Sequence, residues 1–168
     1  QALGIQEATA LAKLKKHYDG YHFSKKSPDI YNPLSLLKCL REKEFKNYWF
    51  DTGTPTHVTE MISKYNLKPE DLEGFTATIN MFDVAFELAD TPIPMLYQSG
   101  YLTIKSCRGA RYTLGFPNEE VRLGFLYGLM PYYSKKTRDE NEIFLSDLTL
   151  ALEEHRINDA MNLLRSFY

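Results

Sequence analysis

Apolar positions recur at helical spacing along most of the chain. In IQEATALAKLKKHY, residues 5–18, Ile5, Ala8, Leu11, Ala12, Leu14 and Tyr18 fall at that spacing with lysines opposite, which predicts an amphipathic helix. DGYHFSKKSPD then reads as a loop. Asn32-Pro33 opens a second helix, with an Asn cap and Pro at the first helical position, carried by Leu34, Leu37 and Leu40 to about Lys43. TGTPTHVTEMISKYN opens a third, with Thr54 as cap, Pro55 at the first position, and Val58, Met61, Ile62 and Tyr65 as its apolar face. KPEDLEG reads as one short helical turn, whereas residues 75–90 fit a strand in FTATI and a helix in MFDVAFELA.

The periodicity changes to two in GYLTIKSCRGARYTLGF. Tyr101 to Lys105 and Arg111 to Leu114 predict a hairpin, turned at Gly109. TPIPMLYQSG before it reads as a short helix stopped at Gly100. FPNEEVRLGFLYGLMPYY after it reads as a helix with acids in its first turn, where the helix dipole favours them. SKKTRDENE reads as a charged linker, and LSDLTLALEEH and INDAMNLLRSFY as a helical pair around a turn at Arg156 to Asp159. The fold class is therefore mainly α (α+β): a helical subdomain over 1–74, which the family resemblance given below makes lid-like, a winged-helix-like subdomain over 75–134 with the hairpin at 101–114, and a linker with a helical pair over 135–168.

Composition narrows the class. At 168 residues, with 43% hydrophobic and 25% charged residues, the chain is long enough to bury roughly 70% of its unfolded surface. Twelve Tyr and ten Phe against one Trp predict a core rich in ring contacts. Neither a transmembrane-length apolar run nor a signal peptide is visible, so the expected setting is cytoplasmic with no membrane partner. Cys39 and Cys107 have no CxxC neighbour and read as two buried thiols. The chain starts without Met and is still helical in pattern at Tyr168, and we read it as a piece of a longer protein.

The net charge of −2 hides an uneven distribution. Residues 1–68 carry 11 basic and 7 acidic side chains, residues 69–104 none and six, and residues 105–168 nine of each. The middle third repels a phosphate backbone. TPIPMLYQSG sits where a winged helix places its recognition helix, yet it holds no Arg or Lys. Nucleic acid is therefore not the favoured partner, and only Lys105, Arg108 and Arg111 on the hairpin offer backbone contacts.

Pro28-Asp29 followed by Glu44-Phe45-Lys46 spells a PD…ExK nuclease centre, in which two carboxylates hold Mg²⁺ and a lysine polarises the nucleophile or phosphate. That chemistry needs Glu and Lys on one strand face beside the Asp. Here a helix intervenes, Glu44 and Lys46 fall in its fraying end, and Asp29 reads as an ordinary turn residue. The spelling is a coincidence, and no catalytic residue is assigned. No GxxxxGK[ST] loop or GxSxG elbow is present. His17 and His22, five apart, do not share a helix face, and with His57 and His155 distant no metal site is assigned. DTGTPT reads as a capping turn rather than an anion cradle.

HYDGYHF, DIYNPLSLL, FKNYWFDTGTPTHV, PIPMLYQSGYLTIK and YTLGFPNEEVRLGFL succeed one another over about residues 12–133. Together they resemble the bacterial AAA-ATPase-like proteins of unknown function that carry a PD-(D/E)XK nuclease-like domain near the C-terminus. The resemblance implies that this chain is the middle, the C-terminal part of the ATPase-like region, with nucleotide-binding motifs before Gln1 and nuclease-like motifs beyond Tyr168. Its implied partners are intramolecular: an upstream ATPase core and a downstream nuclease-like domain. ATP and Mg²⁺ are then ligands of the full-length protein, with no cofactor held by this stretch. On that placement the aromatics of Asn47-Tyr48-Trp49-Phe50 either pack the helices together or form a face against the nucleotide domain, and in the second case Asp19, Gly20, Tyr21, Thr52, Gly53 and Thr54 would respond to bound nucleotide. The expected role is a non-catalytic coupling segment, with a winged-helix nucleic-acid-binding module as the alternative and a nuclease acting through Asp29, Glu44 and Lys46 as the third.

Overall fold

Tyr18 ends the first helix and anchors the segment beyond the second. The computed structural model describes residues 7–49, 56–65, 67–85 and 89–167. They form two compact units, Gln1–Leu126 and Tyr127–Tyr168. The class is mainly α, with a small antiparallel sheet.

In the first unit, helix α1 spans Glu7–Tyr18 and α2 spans Pro33–Glu42. The Asn32 side chain caps α2 by accepting from the Leu34 and Ser35 amides, at 3.1 and 3.3 Å. The Tyr18 hydroxyl donates to the Lys46 carbonyl at 3.0 Å and accepts from the Lys46 amide at 3.1 Å, tying the chain after α2 to the end of α1. Leu14, Tyr18, Cys39 and Tyr48 form the buried cluster between these elements, with Tyr31, Leu36 and Phe45 at its edge.

Both helices bury less of their apolar pattern than expected. Ala8, Leu11 and Ala12 of α1 are exposed, and α2 turns Ser35 and Cys39 inward. Leu34, Leu37 and Leu40 remain 54%, 65% and 39% exposed. The helix ends at Glu42, with Lys43 in the left-handed region at φ 60°, so Glu44 and Lys46 lie beyond it rather than in its last turn.

Helix α3 spans Thr56–Tyr65 and buries Val58 and Ile62; its expected cap and first residue, Thr54 and Pro55, lie outside the described residues. Helix α4 is the short turn Pro69–Leu72. The ambiguous stretch after it contains strand β1, Phe75–Ala77, and a single 3-10 turn, Ile79–Met81. Helix α5 spans Ile93–Gln98, and strands β2, Thr103–Arg108, and β3, Arg111–Gly115, come next. The hairpin is thus two strands of a three-stranded sheet in the order β1-β3-β2. Its register slips between Ile104 and Ser106, leaving Lys105 as the bulged residue. Phe82 is fully buried and meets Tyr97 of α5 and Tyr112 of β3 edge-on, at 4.7 and 5.2 Å between ring centres. Cys107 is only half-buried, which corrects the expectation of two buried thiols.

Helix α6, Glu119–Ser134, contains the boundary between the units. In the second unit α7, Arg138–Glu153, and α8, Ile157–Phe167, pair with Phe144 and Phe167 stacked at 4.1 Å. The expected linker SKKTRDENE is a linker only to Thr137. Thr137 caps α7 by accepting from the Glu140 amide, and Glu140 reciprocates on the Thr137 amide at 2.7 Å. The turn between the helices also falls earlier than expected, at Glu154 to Arg156, with His155 at φ 56°. Among the described residues no helix is long and apolar enough to cross a membrane.

Candidate functional site

Gly20 turns the chain out of α1 at φ 107°, and the loop after it doubles back. Tyr21 and Ile30 pair as an isolated antiparallel bridge, so residues 22–29 form a closed excursion. The Thr103 hydroxyl fastens its base to β2 by accepting from the His22 amide at 2.8 Å and donating to the His22 carbonyl at 3.0 Å. At its far end the Lys25 ammonium donates to the Gly109 carbonyl at 3.0 Å and sits 5.0 Å from the Tyr112 ring centre.

Between this loop, Trp49 and the α5–β2 junction lies a cavity of about 360 Å³. Tyr21, Phe23, Trp49 and Tyr97 supply its aromatic walls, and His22, Gln98 and Ser99 its polar groups. Trp49 is positioned from both sides. Its amide donates to the fully buried Glu120 carboxylate at 2.9 Å, and its ring tilts against Tyr101 at 5.1 Å. Gly100, at φ 80°, leaves room for both rings, since a Cβ there would touch Tyr21 at 3.5 Å and Trp49 at 3.8 Å. Burial, with the Glu120 carboxylate adding to it, pushes the Tyr21 phenol well above its ordinary 10.0, so the cavity wall stays neutral.

The expected site residues separate. Asp19, Gly20 and Tyr21 stand at the root of the loop, and Tyr21 alone of the three lines the cavity. Asp19 is buried, and its Oδ1 has no hydrogen-bond partner. Thr52, Gly53 and Thr54 lie outside the described residues. Lys105 donates to the Phe116 and Pro117 carbonyls at 2.9 and 3.2 Å, because the bulge turns it toward the β3–α6 connection. Arg108 and Arg111 face each other across the hairpin end, both exposed.

The three residues of the nuclease spelling are engaged separately. Asp29 accepts from His22 Nδ1 at 3.1 Å rather than bonding backbone amides, and Glu44 pairs with Lys46. Among the described residues no three His, Cys, Asp or Glu side chains gather into a metal-holding group. Sequence reasoning missed the His22–Asp29 pair and the inward turn of Glu120. Glu120 read as a first-turn acid favoured by the helix dipole, and nothing in FPNEEVRLGFL separated it from Glu119.

The tyrosines around these clusters set an alkaline limit on stability. Burial pushes Tyr48 and Tyr101 from an ordinary 10.0 up to about 12, and raises Tyr18 further. Folding therefore favours the neutral phenols. Their contribution is complete below pH 10.0, where unfolded tyrosine ionises, and is lost as pH rises toward about 12. Ionisation of Tyr18, Tyr48 and Tyr101, followed by ring-carbon NMR, and loss of helical circular dichroism should occur together in one cooperative step above that lower limit. Phenolate at Tyr48 or Tyr101 near the ordinary tyrosine value with helicity intact would contradict it.

The fold and cavity define a mainly α, α+β chain with an aromatic-walled site, and two comparisons with known proteins add no class to that. No family model matches the chain, and no solved structure does. The chain is similar to an "Uncharacterized protein in vnfD 5'region" of Azotobacter chroococcum mcd 1, 34% identical over 126 residues that make up 72% of this chain. The match spans 24% of that relative's length.

Proposed function

We propose that the chain is a non-catalytic lid-like and winged-helix-like segment of a cytoplasmic AAA-ATPase-like protein, coupling an upstream nucleotide-binding domain to a downstream nuclease-like domain. ATP and Mg²⁺, on this reading, bind outside the segment. The observation that carries it is the leucine row of α2. Leu34, Leu37 and Leu40 lie at i, i+3 and i+6, exposed, while the same helix buries a serine and a cysteine. An apolar ridge left outward on a packed helix marks a contact surface. The length of the relative, of which the matched stretch is only 24%, leaves room for further domains in that protein. The expectation of an ATPase core and a nuclease-like domain beside this chain comes from the sequence resemblance over about residues 12–133.

The test uses the full-length protein with Leu34→Glu and Leu37→Glu together. Both side chains are exposed, so helicity is expected to persist. ATP affinity or turnover should change by about fivefold or more, the low end of measured coupling between sites. Unchanged affinity and turnover, or a full-length protein that binds no ATP, would defeat the reading.

A further inference from the structure

Two features of the first unit are used by neither the leucine row nor the coupling role. The first is the aromatic cavity. Its volume lies within the range of small-ligand sites, on the order of 300–1,000 Å³. Phe23 stands 66% exposed with its ring nearly parallel to Tyr21, 6.3 Å between centres and 14° between planes, so a flat apolar face is offered to solvent at the cavity. The polar groups are primed to accept. Asp29 as a carboxylate can only accept, so His22 Nδ1 carries a proton, and in the neutral tautomer this fixes, Nε2 is an acceptor. The Gln98 amide nitrogen donates to the Val84 carbonyl at 2.6 Å and the Ser99 hydroxyl to the Met95 carbonyl at 2.6 Å, leaving oxygen lone pairs on both. Flat rings with a rim of acceptors suit a nucleobase and its N–H groups.

The second feature is the hairpin end. Arg108 and Arg111 are directly opposite, an arrangement of like charges that costs stability. Neither guanidinium makes a hydrogen bond or ion pair with a described residue. Lys25, held on the Gly109 carbonyl, brings a third cation to the same turn. The two features are joined by one loop, which meets β2 at Thr103 through His22 and its far end at Gly109 through Lys25. Strand rise makes that path about 20 Å, enough for several nucleotides.

We propose that single-stranded nucleic acid binds along this path, one base in the Tyr21–Phe23–Trp49 cavity and the phosphates on Lys25, Arg108 and Arg111. Aromatic stacking beside a cationic track is how proteins hold single strands without needing a recognition helix. A duplex keeps its bases stacked and cannot fill the cavity. The proposal is independent of the coupling role and asks no phosphate contact of α5, which lends Tyr97 and Gln98 to the cavity but has no basic residue.

Trp49 is the only tryptophan of the chain, so its emission reports the cavity directly. A fluorescein-labelled mixed-sequence DNA octamer, within the roughly 4–16 nucleotide site sizes of such proteins, is titrated into the 168-residue chain. Anisotropy should rise and Trp49 emission should be quenched. Phe23→Ala should weaken binding by about tenfold. Arg108→Gln with Arg111→Gln should weaken it too and lower the slope of log affinity against log salt by about 1.4. No binding at low salt overturns the proposal, as does octamer binding that leaves Trp49 unquenched and is unchanged by Phe23→Ala. A duplex of the same sequence binding equally well overturns it, and so does AMP binding as tightly as the octamer, which would mark a free-nucleotide site.

Discussion

Replacing Gly20 with alanine should remove about 3 kcal/mol of folding stability. Two separate costs add at this position. The residue sits at φ 107°, where an L side chain carries a penalty of roughly 1–2 kcal/mol. A Cβ there would also lie 2.1 Å from the Pro117 carbonyl oxygen and 3.1 Å from its carbon, both backbone atoms that cannot swing aside. Forcing that contact apart adds about 1–3 kcal/mol of overpacking. The displaced segments are the root of the 21–30 loop and the entry to α6, the two that position Tyr21 and Glu120. Gly109→Ala is the internal control. It sits at φ 65° with nothing within 4 Å of its Cβ, so it carries the backbone penalty alone. Urea midpoints of the two variants separate the terms. If Gly20→Ala is no more destabilising than Gly109→Ala, the close approach to Pro117 is not what requires glycine there.

Elements were legible in the sequence where a local rule decides them. Asn32-Pro33 starts α2 because a side-chain oxygen can satisfy first-turn amides wherever the helix later packs. Gly100 and Gly109 mark turns because only the backbone there takes positive φ without strain. Which face a helix buries is a tertiary matter. The leucines of α2 set the period correctly, yet the cluster around Tyr18 and Tyr48 accepts the small Ser35 and Cys39. The α7 start was hidden by its charges: RDENE looks solvated, and its solvated acids are what the first turn favours once Thr137 caps it. The cavity was the least legible. Its walls come from residues 21–23, 49 and 97–103, three stretches whose aromatics looked like packing when read singly. The bulge at Lys105 likewise cannot be read from composition, and the lysine it carries is bonded to the Phe116 and Pro117 carbonyls.

Phe125→Ala should destabilise the first unit by about 3–5 kcal/mol. The side chain is fully buried, edge-on to Tyr101 at 5.6 Å and 5.2 Å from Phe116. Tyr101 in turn carries Trp49 at 5.1 Å, so Phe125 supports the cavity wall through one intermediate ring. Truncation removes the buried transfer energy and leaves a void that the sheet and α6 cannot both close. Against a total stability of about 5–15 kcal/mol, that loss brings the unit near its unfolding threshold. Phe125→Leu, which refills most of the void, should recover more than half of the loss in urea titration. Phe23→Ala supplies the opposite case. An exposed ring contributes within about 0.5 kcal/mol to folding, so that variant should keep the parental midpoint while losing oligonucleotide affinity. Equal destabilisation by the two truncations would mean that Phe23 belongs to the core, and the separation of a supporting ring from a ligand-facing ring would fail.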